Sequence, residues 1–215
     1  MEREAFLDRL RARMGEPPEN LAHPLPADRG VPRPGYAPTA AGDEVDRLRE
    51  VAAAKGWQVR AGGDALEATL TELIARHDVR RAVCTAEPAA ATAARLLVAA
   101  GVEVLPFDGP ANAARADLGV TGAAYAIAAT GTVVLSSGAA GGRAAALVPP
   151  VHLALVDAAD VVATPADIWR QLPERFPDGL PSQLVFASGP SRSADIEFTL
   201  TVGVHGPKAV WMAIS

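Results

Sequence analysis

Between Leu184 and Lys208 the chain reads LVFASGPSRSADIEFTLTVGVHGPK, which sets hydroxyls, a guanidinium, carboxylates, an imidazole and an ammonium among glycines. A carboxylate near an imidazole can move protons, so Asp195 or Glu197 is a candidate catalytic base and His205 a candidate proton shuttle. Around them Ser191 and Arg192 offer donors to an anion, while Gly189 and Gly206 let backbone approach a ligand closely. The same residues also fit a purely structural account. Ser193 then caps a helical turn, Asp195 and Glu197 sit against its dipole, and His205 pins the turn it belongs to.

Two further loops carry donors. Ala129-Thr130-Gly131-Thr132 pairs hydroxyls at Thr130 and Thr132 with a glycine whose backbone N–H groups can face a phosphate or carboxylate, though TGT is equally a plain strand turn. Ser136 to Gly142 is a glycine-rich loop ending at Arg143, able to fold over an anion or to form a mobile hairpin tip. A shared site requires that Thr130, Arg192 and His205 meet at one pocket rim.

Several chemistries lack their anchor. Ser191, Asp195 and His205 follow the chain order of a hydrolase triad, but no G-x-S-x-G elbow surrounds the serine. Neither G-x-G-x-x-G, nor a P-loop, nor H-E-x-x-H occurs. Cys84 is the one cysteine, so an internal disulfide is excluded and the four thiolates that a [4Fe–4S] cluster normally takes are not available. No metal and no cofactor of its own is expected. Cys84 lies in the apolar run Arg81 to Thr85, which suits a buried, inert thiol.

A net charge of −5, from 20 basic and 25 acidic residues, gives no uniformly basic face and argues against non-specific nucleic-acid binding. No apolar run approaches the roughly 18 residues of a membrane span, and the charged opening MEREAFLDRLRARM does not suit a signal peptide. A soluble, cytoplasmic protein is expected, with no membrane partner.

The elements that must position these loops follow from periodicity. Phe6, Leu10 and Met14 form an apolar stripe on a short helix from Glu2 to Met14. The segment from Glu16 to Gly42, rich in proline, reads as an extended arm, so residues 1–42 are set apart from a body at 43–215. The helix either packs back on its own body or reaches a second copy, giving a homo-oligomer. Within the body, Asp43 opens a helix ending at Lys55-Gly56, and Trp57 to Arg60 is a short strand. A helix follows with Leu66, Leu70, Leu73 and Ile74 inward, then strand Arg81 to Thr85, an alanine-rich helix Pro88 to Ala100, and strand Val102 to Phe107. This alternation predicts a parallel sheet built from βαβ crossovers.

From Asp117 the long helices give way to short strands at Leu118 to Gly122, Ala126 to Ala128, Thr132 to Leu135, His152 to Val156 and Val161 to Ala163. A two-turn helix after Thr164-Pro165 is expected to turn Ile168, Trp169 and Leu172 inward, and Leu184 to Ala187 reads as a buried strand. Ala209 to Ile214 closes the chain as a strand. Hydrophobic residues make up 49% but aromatics only 5%, so the core must be built of Ala, Val, Leu and Ile. The fold class is α/β, a mainly parallel sheet flanked by helices with added β-hairpins, its polar loops near strand ends where open sheets place ligands.

The strings AIAATGTVVLSSG (Ala126 to Gly138), LVPPVHLALV (Leu147 to Val156), GPSRSADIE and GVHGP, in this order, resemble the LutC type of the LUD-domain family. The resemblance implies a fold like that of CoA-transferases, ribose-phosphate isomerase and glucosamine-phosphate deaminase. It implies a role in oxidising L-lactate to pyruvate beside iron–sulfur partner proteins, and a lone Cys84 fits a subunit holding no cluster. Its motif positions here are Thr130, Gly131 and Thr132, then Gly189, Pro190, Ser191, Arg192, Asp195 and Glu197, then Gly203, His205, Gly206 and Pro207. Many relatives place an acidic residue just before TGT; this chain has Ala129, which removes a natural base. The expected function is therefore an accessory or ligand-binding subunit of a lactate-oxidising system that takes a small anionic ligand. The alternative is a stand-alone enzyme on a phosphorylated sugar or acyl-CoA, using Asp195 or Glu197 with His205.

Overall fold

A computed structural model describes residues 43–62, 65–137, 143–193 and 201–215, with Asp8 and Ala12, and of residues 193, 201 and 202 it describes the backbone. The chain divides into two compact units, Met1–Ala37 and Pro38–Ser215. Of the expected first helix, Asp8 and Ala12 are helical and exposed; the rest of it and the proline arm lie outside the described residues.

Helix α1 (Glu44–Lys55) buries Leu48 and Ala52 and stops at Gly56, whose φ of 103° sends its amide back to the carbonyls of Ala52 and Ala53. Asp43 holds the N-cap position, but its side chain makes no capping bond. Strand β1 (Trp57–Ala61) leads to α2 (Ala65–His77), whose Leu70 and Leu73 are buried. Next come β2 (Arg81–Cys84), α3 (Pro88–Ala99), β3 (Glu103–Leu105) and the short α4 (Pro110–Ala113). The second half adds β4 (Leu118–Gly122), β5 (Tyr125–Ile127), β6 (Thr132–Ser136), α5 (Arg143–Leu147) and β7 (Val151–Val156). After a 3-10 turn (Ala158–Asp160) follow β8 (Val161–Val162), α6 (Pro165–Arg175), β9 (Leu184–Ala187), β10 (Arg192–Ser193), β11 (Thr201–Val202) and β12 (Ala209–Ile214).

Six strands form one wholly parallel sheet in the order β1-β12-β7-β4-β2-β3. The short strands read after Asp117 therefore divide between two sheets. β4, β7 and β12 complete the parallel sheet, and β8-β5-β6-β9 make a second sheet of four strands. Leu70, Leu73, Ala93 and Leu97 pack against Val120, Leu153 and Trp211 on one face of the parallel sheet. On its other face Leu48, Ala52, Val133 and Leu135 meet Trp57, Ala154 and Met212, so α1 and the second sheet cover it. The far side of the second sheet buries Tyr125, Ile127 and Val134 against Ile168 and Leu172 of α6.

Two local expectations are corrected. Trp169 faces outward at 61% exposure, while Ile168 and Leu172 are buried. Adjacent helical positions lie about 100° apart, and the contact face is set by the pair four residues apart. Strand β9 is an edge strand paired with β6, and Phe186 within it is 41% exposed, so its apolar run does not mark a buried strand. The turn expected after Ser193 lies outside the described residues, and Ser193 itself is in a strand. It lies in a two-stranded antiparallel ribbon, Arg192 opposite Val202 and Ser193 opposite Thr201.

Candidate functional site

The register of the parallel sheet lines up a row of residues from separate parts of the chain. Trp57 is opposite Val210, Val210 opposite His152, and His152 opposite Gly119. Register partners in a parallel sheet project to the same face, and this face looks toward the second sheet. Gly119 leaves a gap in the row, because a Cβ there would stand 1.7 Å from the carbonyl oxygen of Ala145. The tight contact of α5 with β4 thus leaves the space beside it to His152 and Trp57.

A cavity of about 260 Å³ opens over this row. Trp57, His152 and Val210 wall it from the parallel sheet, Leu135 and Val185 from the second sheet, and Ala146 and Leu147 from α5. Phe186 and the loop residues Ser188, Gly189, Ser191, His205, Gly206 and Pro207 complete the lining. Trp57 and His152 are each only 2% exposed, whereas Ser188 and His205 are exposed, so the site has a buried wall and an open rim.

His152 Nε2 lies 2.9 Å from Thr121 Oγ1, and the imidazole stands edge-on to Trp57 with ring centroids 6.2 Å apart. Complete burial disfavours the charged ring and pulls its pKa down from 6.5 to about 4, so at neutral pH it is an uncharged donor and acceptor. Trp57 Nε1 is buried with no hydrogen-bond partner among the described residues.

The two loops of the rim are tied together through Ser191. Its amide donates to the Pro207 carbonyl at 3.1 Å, its carbonyl accepts from the Gly203 amide at 2.9 Å, and its hydroxyl accepts from the His205 amide at 3.3 Å. Gly206 packs over it, since a Cβ there would come 3.2 Å from that of Ser191. Gly189, with φ of 139°, passes so close to α1 that a Cβ would lie 2.7 Å from the Lys55 carbonyl oxygen. Lys208 follows, its amide donating to the Pro150 carbonyl at 2.8 Å, which fixes the loop at the start of β12.

Of the residues chosen from sequence, Gly189, Ser191, His205 and Gly206 meet at this cavity. Thr132 reaches its rim indirectly: its hydroxyl is 2.7 Å from that of Ser188 and 2.7 Å from that of Thr130. Gly131, at φ of 60°, packs on α1, where a Cβ would lie 2.7 Å from the Ala52 nitrogen, so the TGT turn is a joint between α1 and the second sheet. Thr130, Arg192 and Arg143 are not among the lining residues. Arg192 Nη2 donates to the Lys55 carbonyl at 3.0 Å, and Arg143 Nη1 donates to Gln183 Oε1 at 2.7 Å. Of the trio expected at one rim, His205 alone lines the cavity. Asp195 and Glu197 lie outside the described residues, as does the glycine loop 138–142.

His152 and Trp57 are the members that motif reading missed. The signal for His152 was a single polar residue inside the apolar run Leu147 to Val156, and for Trp57 a large aromatic at the first position of a strand. The cavity sits at the amino ends of β1, β7 and β12, where His152 and Val210 are the second residues of their strands. Ligands of open α/β sheets usually collect at the carboxyl ends, and here the second sheet walls a chamber at the opposite end. Among the described residues no group of three or more His, Cys, Asp or Glu side chains is placed to hold a metal ion. No described helix is long and apolar enough to cross a membrane.

The chain is similar to known proteins. A DUF162 family protein from Deinococcus radiodurans superposes with a TM-score of 0.60 at 25% identity, covering 82% of this chain and 99% of that one. Proteins called lactate utilization protein C are 45% identical over 98 residues in Halalkalibacterium halodurans, 41% over 101 residues in Shouchella clausii and 39% over 110 residues in Bacillus subtilis. These matches take in 45%, 46% and 48% of this chain and 43%, 44% and 45% of the respective relatives, less than half of each. The LUD domain model matches residues 110–212, which contain every lining residue named above except Trp57. Over residues 110–212 the chain is thus similar to LUD-domain proteins.

Proposed function

We propose that this chain is a cytoplasmic accessory, ligand-binding subunit of a system that oxidises L-lactate to pyruvate with iron–sulfur partner proteins. The relatives called lactate utilization protein C, 39 to 45% identical over their matched stretches, support the lactate role. The observation that carries the binding role is the convergence of Gly189, Ser191, His205 and Gly206 with the buried His152 and Trp57 on one cavity. An anionic part of the ligand belongs at the rim, where His205 and the hydroxyls of Ser188 and Ser191 meet solvent. Electron transfer is assigned to the iron–sulfur partners.

The test is reconstitution. The purified chain alone should reduce no dye with L-lactate as donor, and adding it to the iron–sulfur proteins co-purified from the source cells should raise their lactate-dependent dye reduction at least tenfold. Turnover of lactate by the chain alone, or unchanged activity of the partners without it, would overturn the reading.

A further inference from the structure

His152 carries a second polar atom beside the one that Thr121 engages. Its Nε2 lies 2.9 Å from Thr121 Oγ1, and its Nδ1 has no hydrogen-bond partner among the described residues. Among those residues, the side-chain atoms left with neither a partner nor access to solvent are Trp57 Nε1, His77 Nε2, Glu87 Oε2 and Trp211 Nε1, so His152 Nδ1 keeps accessible surface. His152 is only 2% exposed and lines the cavity, so that surface faces the cavity.

The pairing with Thr121 decides which nitrogen of the neutral ring holds the proton. Thr121 is buried, and its hydroxyl has His152 Nε2 as its side-chain partner. With a proton on Nε2, that hydroxyl would face an N–H and lose its acceptor. Buried donors are nearly always satisfied, so the hydroxyl donates to Nε2 and the ring proton sits on Nδ1. Nδ1–H is then an uncharged donor on a wall otherwise built from residues such as Leu135, Val185 and Val210.

Size and charge narrow what can meet this donor. An apolar cavity of about 150 Å³ is enough for a benzene ring, and this one measures about 260 Å³. No Lys, Arg, Asp or Glu side chain is among its described lining residues, so a carboxylate at this depth would be stripped of water with no cation in return. We infer that His152 is a ligand-binding residue, its Nδ1–H donating to the uncharged carbonyl oxygen of an aryl or acyl compound whose apolar body fills the cavity. This rests on the cavity being the binding site of the proposed accessory subunit, and any charged group of the ligand stays at the rim by Ser188 and His205.

Acetophenone, a benzene ring bearing one carbonyl, is the probe, and ethylbenzene is the same skeleton without the acceptor. In the full chain labelled with nitrogen-15, long-range proton–nitrogen spectra show which ring nitrogen is protonated in each of the four histidines, and His152→Leu assigns the ring by its loss. Free His152 should hold its proton on Nδ1, and acetophenone should shift that nitrogen saturably. Ethylbenzene should bind about fivefold more weakly, the ratio for a typical net hydrogen bond, and His152→Leu should weaken acetophenone by the same factor. If His152→Leu fails to fold, His23→Gln, His77→Gln and His205→Gln assign the ring by elimination, and ethylbenzene carries the comparison. The inference is overturned if the proton sits on Nε2, if acetophenone leaves the His152 ring unshifted, or if ethylbenzene binds as tightly as acetophenone. None of these results bears on the accessory role, which reconstitution with the iron–sulfur proteins decides separately.

Discussion

His152 gives the interior a pH dependence whose sign can be worked out. Its ring titrates near 4 in the folded protein against an ordinary 6.5, so between those values the unfolded chain takes up a proton that the folded one refuses. Stability contributed by the neutral ring is therefore complete above about pH 6.5, falls as the pH drops toward 4, and changes no further below that. At pH 4.5 the loss relative to pH 7 is about 2 kcal/mol by linkage. His152→Gln, which keeps a hydrogen-bonding partner for Thr121 without the titration, should show a smaller difference between urea midpoints at pH 7 and pH 4.5. Equal pH sensitivity in both proteins would locate the effect elsewhere.

The glycines separate by the same residue-level reasoning. Gly119→Ala drives a methyl to within 1.7 Å of a backbone carbonyl that cannot move without α5, whereas a Cβ at Gly101 meets nothing within 4 Å. Gly101→Ala should cost only the left-handed backbone penalty, about 1 kcal/mol. Gly119→Ala should cost more than about 3 kcal/mol and expose the cavity. Urea denaturation of both variants checks the order.

At the scale of elements, α6 offers a clean contrast. Its N-terminus is closed by Asp167, whose carboxylate accepts from the Thr164 amide at 2.8 Å and the Thr164 hydroxyl at 2.7 Å. Ile168 is fully buried against the second sheet, while Trp169 touches Phe186 at the surface with ring centroids 6.3 Å apart. Ile168→Ala should lose about 2 to 5 kcal/mol, and Trp169→Ala less than about 1. Thermal melts of the two variants distinguish them. Helices of this kind were legible in the sequence because their signals are local: Gly56 ends α1, and Thr164-Pro165 opens α6. The strand assignments were legible too, but not which strands share a sheet. β4 and β5 read alike as short apolar runs, and only long-range pairing sends one to the parallel sheet and the other to the second sheet.

For the molecule as a whole, the site was half legible for the same reason. Its rim comes from two short loops near each other in the chain, Ser188 to Ser191 and His205 to Pro207, and polar residues crowded among glycines announce themselves. Its wall is assembled by register between strands far apart in the chain, so Trp57 and His152 carry no motif. Arg192 was chosen for its charge, yet a guanidinium within reach of the Lys55 carbonyl is held there. Cys84, partly exposed at the end of β2, provides a probe of its surroundings: desolvation pushes its thiol up from 9.0 to about 12, which lowers its thiolate fraction about a thousandfold at mildly alkaline pH. Labelling with a thiol-reactive disulfide at pH 8 should be slower than in 8 M urea by about that factor and should accelerate in Gly119→Ala. Rapid labelling of the native protein would mean that the edge of the sheet near β2 opens by itself.

Strand β12 lies between β1 and β7, in register with both, and among the described residues it is β1's only neighbour in the parallel sheet. During synthesis, Trp57 and its strand must therefore wait without a sheet partner until residues 209–214 have cleared the ribosome tunnel. Everything between them is made first, and the buried wall of the cavity forms only when that late segment slots in. A nascent chain stalled before Ala209 should accordingly stay protease-sensitive at β1, while the same chain carrying residues 209–214 clear of the tunnel becomes resistant in a single step.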